Sequence, residues 1–157
     1  MKKHFILLLS VIVVACSSPN PGSGIISLKN GWKIKKGDNH EWASPQLDDS
    51  DWNKVVSGKM WENQELDQFI AYDGYAWYRI SFELPEDIRK FSYFGEFLQL
   101  SLGKVDDTEQ TYLNGELLGA NNELVLSDDG KHVKFEGDPE AYSYFRNYII
   151  PVDDKRI

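Results

Sequence analysis

The sequence predicts an all-β protein built as an antiparallel β-sandwich, and three observations favour this class. Between residues 76 and 84 every second residue is apolar, which is the period of a strand with one buried face. Residues 98 to 102 repeat this period with three leucines. Asn114-Gly115 lies between two strand-like segments and indicates a hairpin, because a type I′ turn needs positive φ at both central residues.

The rest of the sequence predicts short strands and loops, and it contains no internal repeat and no long helical pattern. The first half is predicted to contain strands at 25–28 and 32–34, a loop at 37–54, a strand at 55–61 and a polar stretch at 62–74 with room for one helical turn. The second half is predicted to contain an insertion at 121–138, in which 124–126 and 133–135 form a hairpin. An aromatic-rich segment at 142–150 follows and ends as a strand.

Length and charge narrow the class of protein. A chain of 157 residues with 41% hydrophobic content is long enough for one domain with a buried core. The formal net charge is −8, so the surface repels phosphate backbones and no nucleic-acid partner is expected.

The N-terminus has the form of a bacterial lipoprotein signal peptide. A charged Met1-Lys2-Lys3 precedes an apolar run over 5–14, which is too short to span a bilayer. Val13-Val14-Ala15-Cys16 resembles a lipobox, the sequence cut by signal peptidase II before a lipidated cysteine. An ordinary secretory signal with an incidental cysteine is the alternative.

This reading divides the chain into three parts. Residues 1–15 are the signal peptide, residues 16–30 carry the lipidated Cys16 and a Ser/Pro/Gly-rich flexible tether, and residues 31–157 form the sandwich domain. The expected location is a bacterial membrane, with the domain on the periplasmic or cell-surface face.

An ordered set of motifs within residues 31–151 resembles one known module. Its parts are Asp48-Asp49-Ser50-Asp51-Trp52, Trp77-Tyr78-Arg79, Leu102-Gly103-x-Val105-Asp106-Asp107, Tyr112-Leu113-Asn114-Gly115-x-x-x-Gly119 and Arg146-Asn147-Tyr148-Ile149-Ile150-Pro151. They are similar to the jelly-roll domain with the galactose-binding-like fold. That domain is found beside the catalytic domains of family 2 glycoside hydrolases and in bacterial sialate O-acetylesterases.

The resemblance implies non-catalytic carbohydrate binding, or an accessory role in glycan degradation, with a glycan or glycoside as partner. Two alternatives stay open. The chain is a fragment of a glycoside hydrolase or sialate O-acetylesterase whose catalytic domain is absent, or it is a protein-interaction lipoprotein module, since one fold serves unrelated tasks.

Sugar contacts would come from loop aromatics that stack on sugar rings and from polar side chains beside them. Trp52, Trp77 and Tyr148 are expected in the core instead, and Trp61 is a candidate for either place. The candidate ligand residues are Trp42, Trp61, Tyr72, Tyr142, Arg146 and Asn121, with His40 and Asn122 as further polar partners.

No catalytic residues are predicted. Outside the leader the chain has two histidines, His40 and His132, and no serine lies in a nucleophile motif. Arg79 lies mid-strand between aromatics, so it needs a buried acidic partner, and Asp106 or Asp107 is the predicted one. No cofactor or metal is expected, although Asp106-Asp107 could instead bind calcium through carboxylate oxygens.

The resemblance also implies a further strand after Pro151, whereas Ile157 follows only a few residues later. Those residues can make a turn but cannot cross a sheet. The expectation is a chain truncated at its C-terminus, with an open sheet edge that invites a partner strand.

Overall fold

The structure is a computed structural model that describes residues 6–12, 24–85, 90, 95–106, 108–121, 123–126, 133–136 and 143–157. Within these residues the protein is all-β, with three short 3-10 helices at His40–Ala43, Trp61–Asn63 and Asp67–Phe69. The strands are β1 Ile6–Ile12, β2 Trp32–Lys36, β3 Asn53–Val55, β4 Tyr75–Ser81, β5 Phe97–Lys104, β6 Thr108–Leu113, β7 Glu116–Asn121, β8 Glu123–Leu126, β9 Val133–Glu136 and β10 Phe145–Pro151.

The strands form one large sheet and two small ones. The six-stranded sheet has the order β3-β2-β4-β1-β6-β7, while β5 pairs with β10 and β8 pairs with β9. Most pairs are antiparallel as predicted, but β1 runs parallel to both β4 and β6. Because β4 and β6 point the same way, any strand between them is parallel to both or antiparallel to both.

The apolar alternation of β4 is confirmed and faces the main core. Ala76 and Ile80 pack in one buried cluster with Phe82, which follows the strand, and with Leu100 of β5 and Ile150 of β10. This cluster joins the six-stranded sheet to the two-stranded sheet, in the manner of a sandwich.

Among the described residues, a loop covers the opposite, outer face of the six-stranded sheet. Trp77 of β4 and Tyr112 of β6 form a second buried cluster there with Ala43 and Trp52. We call residues 38–52 the covering loop. The predicted core positions of Trp52 and Trp77 are confirmed, since the two side chains are 5% and 0% exposed.

The Asn114-Gly115 turn is also confirmed. Asn114 has φ +50° and Gly115 has φ +92°, the pair of positive values that a type I′ hairpin needs. A Cβ atom on Gly115 would lie 3.1 Å from Cδ of Pro45 in the covering loop. The turn therefore requires glycine for its backbone conformation and is tight against a neighbour.

Several predicted boundaries shift. Residues 25–28 are not a strand, and the strand predicted at 55–61 is the shorter β3, followed by the 3-10 helix Trp61–Asn63. Residues 62–74 contain a second 3-10 turn, and β8 and β9 pair as the predicted hairpin. Among the described residues, no helix is long and apolar enough to span a membrane.

Candidate functional site

One end of the outer face gathers polar and aromatic side chains from three elements. We call them the His40 cluster: Asp38, His40 and Trp42 of the covering loop, Trp77 of β4, and Gln110 and Tyr112 of β6. Asp38 and His40 are exposed, Trp42 and Gln110 are half-buried, and Trp77 and Tyr112 are buried. The cluster therefore has a buried aromatic floor and an accessible polar rim.

The local sequence explains how the covering loop reaches this position. β2 ends at Lys36, and Gly37 then adopts φ +104°, a value that favours glycine. The Gly37 N–H donates to the carbonyl of Tyr75 at 2.9 Å, which ties the turn to the start of β4. The Asn39 side chain then caps the 3-10 helix by accepting from the Glu41 N–H at 2.9 Å.

Hydrogen bonds connect the rim of the cluster to its floor. The Trp77 indole N–H donates to Oδ1 of Asp38 at 3.3 Å. The Tyr112 hydroxyl donates to Oε1 of Gln110 at 2.7 Å and lies 3.1 Å from Nδ1 of His40. Since that hydroxyl proton goes to Gln110, its oxygen accepts from Nδ1–H of His40. In the neutral ring, Nε2 of His40 is then an acceptor.

The aromatic floor is built by ring-to-ring contacts. Trp77 and Tyr112 stack with centroids 5.4 Å apart and planes 28° apart, and His40 meets each ring edge-on. Trp42 packs edge-on against Trp52 at 5.4 Å, and the Lys35 ammonium lies 5.4 Å from the Trp42 centroid. These contacts hold the Trp42 ring in one orientation at the border of the cluster.

Burial and charge keep the nearby phenols protonated. Burial raises the pKa of Tyr112, and the negative charge of Asp38 raises it further. The same two causes raise the pKa of Tyr75. Both hydroxyls therefore remain hydrogen-bond donors across the physiological pH range.

The other predicted sugar-binding residues lie elsewhere. Trp61 is 4% exposed and packs against Phe69 at 5.5 Å, so it is a core residue. Tyr72 packs on Trp61 within the main-core cluster, away from the cluster of the outer face, and its hydroxyl donates to the Tyr75 carbonyl at 2.7 Å. Asn121 is half-buried at the end of β7, and Tyr142, Asn122 and His132 lie outside the described residues.

Arg146 is enclosed rather than displayed, which corrects its predicted role as a sugar contact. Its Nε donates to Oε2 of the fully buried Glu109 at 2.7 Å. Its two terminal nitrogens donate to the carbonyls of Tyr144 at 2.7 Å and Val105 at 3.1 Å. The Tyr148 hydroxyl donates to the other Glu109 oxygen at 2.5 Å. With the guanidinium and carboxylate satisfied inside the protein, this group links the two sheets.

Arg79 is buried as predicted, and its acidic partner among the described residues is Asp49. The side chain is 1% exposed, and its Nε donates to Oδ2 of Asp49 at 3.1 Å. It also donates to the carbonyls of Trp42 and Ser44. Asp106 is exposed, and Asp107 lies outside the described residues. Asp49 reaches Arg79 because the covering loop folds back over β4, which spacing in the sequence does not indicate.

In the described part of the chain, no group of three or more His, Cys, Asp or Glu side chains could hold a metal ion. The calcium alternative needs both Asp106 and Asp107. Asp107 lies outside the described residues, so this alternative stays a prediction. Asp48 and Asp49 are engaged locally, since Asp48 accepts from the Ser50 N–H at 3.0 Å and Asp49 pairs with Lys33 and Arg79.

Sequence reasoning named His40 and Trp42 but missed Asp38, Gln110 and Tyr112. Gly37-Asp38 directly after a strand was a usable signal, because a turn there projects its polar residue from the sheet end. Gln110 and Tyr112 are two apart on one strand and so share a face, and this spacing was also visible in the sequence.

Comparison with protein-family models, with curated proteins and with solved structures finds no match.

Proposed function

We propose that this protein is a bacterial membrane lipoprotein whose jelly-roll, galactose-binding-like domain binds carbohydrate without catalysis, as an accessory to glycan degradation. The observation that carries the proposal is the His40 cluster. An accessible carboxylate and an imidazole stand beside a half-buried tryptophan, above a rigid aromatic floor.

This combination suits a sugar ring, which presents hydroxyl groups around its edge and C–H bonds on its faces. Asp38 and Nε2 of His40 can accept hydrogen bonds from hydroxyls, and the Trp42 ring offers an apolar surface for the C–H face. The fixed rotamers reduce the entropy that binding would otherwise cost. Phosphorylated or strongly acidic glycans are poor ligands here, because Asp38 and the net charge of −8 oppose them.

A glycan array probed with the full chain, purified in detergent, tests the proposal. Asp38→Asn, His40→Ala and Trp42→Ala are each expected to weaken binding by tenfold or more, as loss of one hydrogen bond or stacking contact predicts. Phe145→Ala is the matched control, because Phe145 is a 65% exposed aromatic on the other sheet. Melting midpoints confirm that each variant is folded. Absence of any glycan signal, or equal loss in the Phe145 variant, contradicts sugar binding at this cluster.

The membrane anchor is tested separately. Metabolic labelling with a palmitate analogue is expected to mark the wild-type chain and to spare Cys16→Ala, because a thiol at residue 16 is the atom that lipidation needs. Ser17→Ala is the control at the neighbouring position. Equal labelling of the wild type and Cys16→Ala rules out a lipid on Cys16.

A further inference from the structure

β1 is the strand that joins the two halves of the large sheet. Its seven residues pair in register with Tyr75–Ser81 of β4, and Ile6–Val11 pair with Thr108–Leu113 of β6. β2 and β3 lie on the far side of β4, and β7 lies on the far side of β6. In the described part of the chain, backbone pairing between the two halves passes through β1.

β1 is also the apolar run of the proposed signal peptide. Cleavage before Cys16 would remove Ile6–Ile12 and leave a gap one strand wide between β4 and β6. The backbone groups on both facing edges would lose their partners, and buried backbone groups without partners destabilise a fold. An empty gap is therefore not a stable end state for the processed protein.

The two walls of the gap are each held by contacts that do not involve β1. β4 pairs with β2, and its Arg79 is bound to Asp49 of the covering loop. β6 pairs with β7, and its Glu109 is bound to Arg146 of β10. These contacts hold β4 and β6 in position independently of β1. We therefore expect the gap between them to be ready to accept an extended chain.

The described strands offer no spare segment to fill the gap, because β5 pairs with β10 and β8 pairs with β9. We propose that the gap between β4 and β6 is a strand-acceptor site that binds an extended segment of a second polypeptide, six or seven residues long. This proposal rests on the cleavage before Cys16 that is part of the proposed function.

The walls define the chemistry of the incoming strand. Alternate residues would face the main core beside Ala76, Ile80, Thr111 and Leu113, which are at most 3% exposed, so they must be apolar. The intervening residues would face Trp77 and Tyr112 on the outer face. Proline is excluded, because the segment needs its N–H groups on both edges. Backbone pairing supplies affinity, and the alternate side chains supply selectivity.

The acceptor site is tested on the full chain, with Cys16→Ala to avoid lipidation and a site-specific protease sequence inserted in the tether. Cutting the tether separates β1 covalently from the domain. Removal of the cut leader piece is expected to lower the melting midpoint by about 10 °C or more, since several kilocalories per mole of pairing are lost. A peptide with the sequence of Ile6–Ile12, flanked by lysines, is expected to restore the midpoint.

A peptide carrying Leu8→Pro is the matched control, because Leu8 lies between Trp77 and Gln110 in the sheet and proline has no backbone N–H to donate there. Restoration by the wild-type peptide alone, with slowed hydrogen exchange in β4 and β6, supports the acceptor site. An unchanged midpoint after removal of the leader, or equal restoration by both peptides, overturns it.

Photo-crosslinking in cells identifies the natural occupant. A crosslinker at Ser81, which pairs with Ile12 at the end of the gap, is compared with one at Lys54 on β3. A Ser81 adduct on an alternating, proline-free segment of another polypeptide supports the proposal. An adduct on residues 6–12 of the same chain, with the unprocessed mass, shows that the leader stays in place. That adduct, or one on any other segment of the same chain, overturns the second-chain occupant. Because the cut-chain experiment does not depend on processing, the two failures are distinguishable.

Discussion

Two buried arginines perform different tasks in this molecule. Arg146 pairs with Glu109, and both side chains are at most 5% exposed, so this ion pair is sealed between the two sheets. Arg79 pairs with Asp49, whose side chain is 20% exposed and also contacts Lys33. The first pair holds layers of the core together, and the second fastens the covering loop onto the sheet.

The difference lies in what remains after one partner is lost. Without Arg146, Glu109 would be a charge in a sealed interior, whereas without Arg79, Asp49 would keep Lys33 and access to water. Desolvation is most costly for a charge that has neither a partner nor solvent. The sealed pair should therefore be the more sensitive of the two.

The largest expected effect is that of Arg146→Met. The variant should lose about 3 to 5 kcal/mol of unfolding free energy, because Glu109 would stay buried without a cationic partner and would keep only the hydrogen bond from Tyr148. Urea unfolding measures the loss, and the double variant Arg146→Met with Glu109→Leu should recover part of it, since the orphaned charge is gone. If Arg146→Met lost less unfolding free energy than Arg79→Met, the Arg146–Glu109 pair would not be the more sensitive of the two.

Arg79→Met should cost less, about 1.5 to 3 kcal/mol, the range for hydrogen bonds to charged groups. Its loss should also free the covering loop, so hydrogen exchange of residues 40–44 should quicken while that of β10 stays slow. Lys155→Met is the matched control, because its pair with Glu116 is exposed, lies outside the covering loop and is worth at most about 1 kcal/mol. Uniform quickening throughout the chain would show that Arg79 holds the core rather than the loop.

Gly115→Val tests the contact between the β6–β7 turn and the covering loop. The variant should lose about 1 to 3 kcal/mol, because valine resists positive φ and its Cβ would crowd Pro45. Glu116→Val, one residue on, introduces the same side chain at an exposed strand position and serves as control. A melting midpoint equal to that of the control would exclude a strained turn.

The smallest expected effect is an acid response on the Asp49 side. Burial alone would raise the pKa of Asp49, but hydrogen bonds from Lys33 and Arg79 outweigh it and hold that pKa below its ordinary value of 3.8. Because the folded pKa is lower than the unfolded one, the ionised carboxylate stabilises the fold above pH 3.8. That stabilisation is lost as the pH falls through the folded pKa.

Asp49→Asn should accordingly flatten the fall in unfolding free energy below pH 4. The comparison variant is Asp154→Asn, since hydrogen bonds from Arg156 lower the pKa of Asp154 to about 2 and its contribution persists to lower pH. Urea midpoints between pH 2 and pH 6 measure both. An Asp49→Asn profile that parallels the wild type would contradict this assignment.

The candidate site was visible in the sequence only in part. His40 and Trp42 could be named because a loop with aromatic and polar residues before a strand is a usual place for ligand contacts. Arg146 was misplaced and the position of Trp61 stayed open, because a charged or aromatic side chain in a short segment gives no sign of how deeply other elements cover it. Here Glu109 and Tyr148 enclose Arg146, and Phe69 and Tyr72 enclose Trp61.

The sequence by itself determined the features that depend on neighbouring residues. The alternation of β4 and β5 and the Asn114-Gly115 turn follow from pleat geometry and backbone sterics over a few residues. Only the tertiary structure decided that Asp49 meets Arg79 across 30 positions, that Glu109 meets Arg146 across 37, and that β1 lies between β4 and β6. Such pairings depend on which distant segments share a buried place, and local sequence patterns carry no information about that choice.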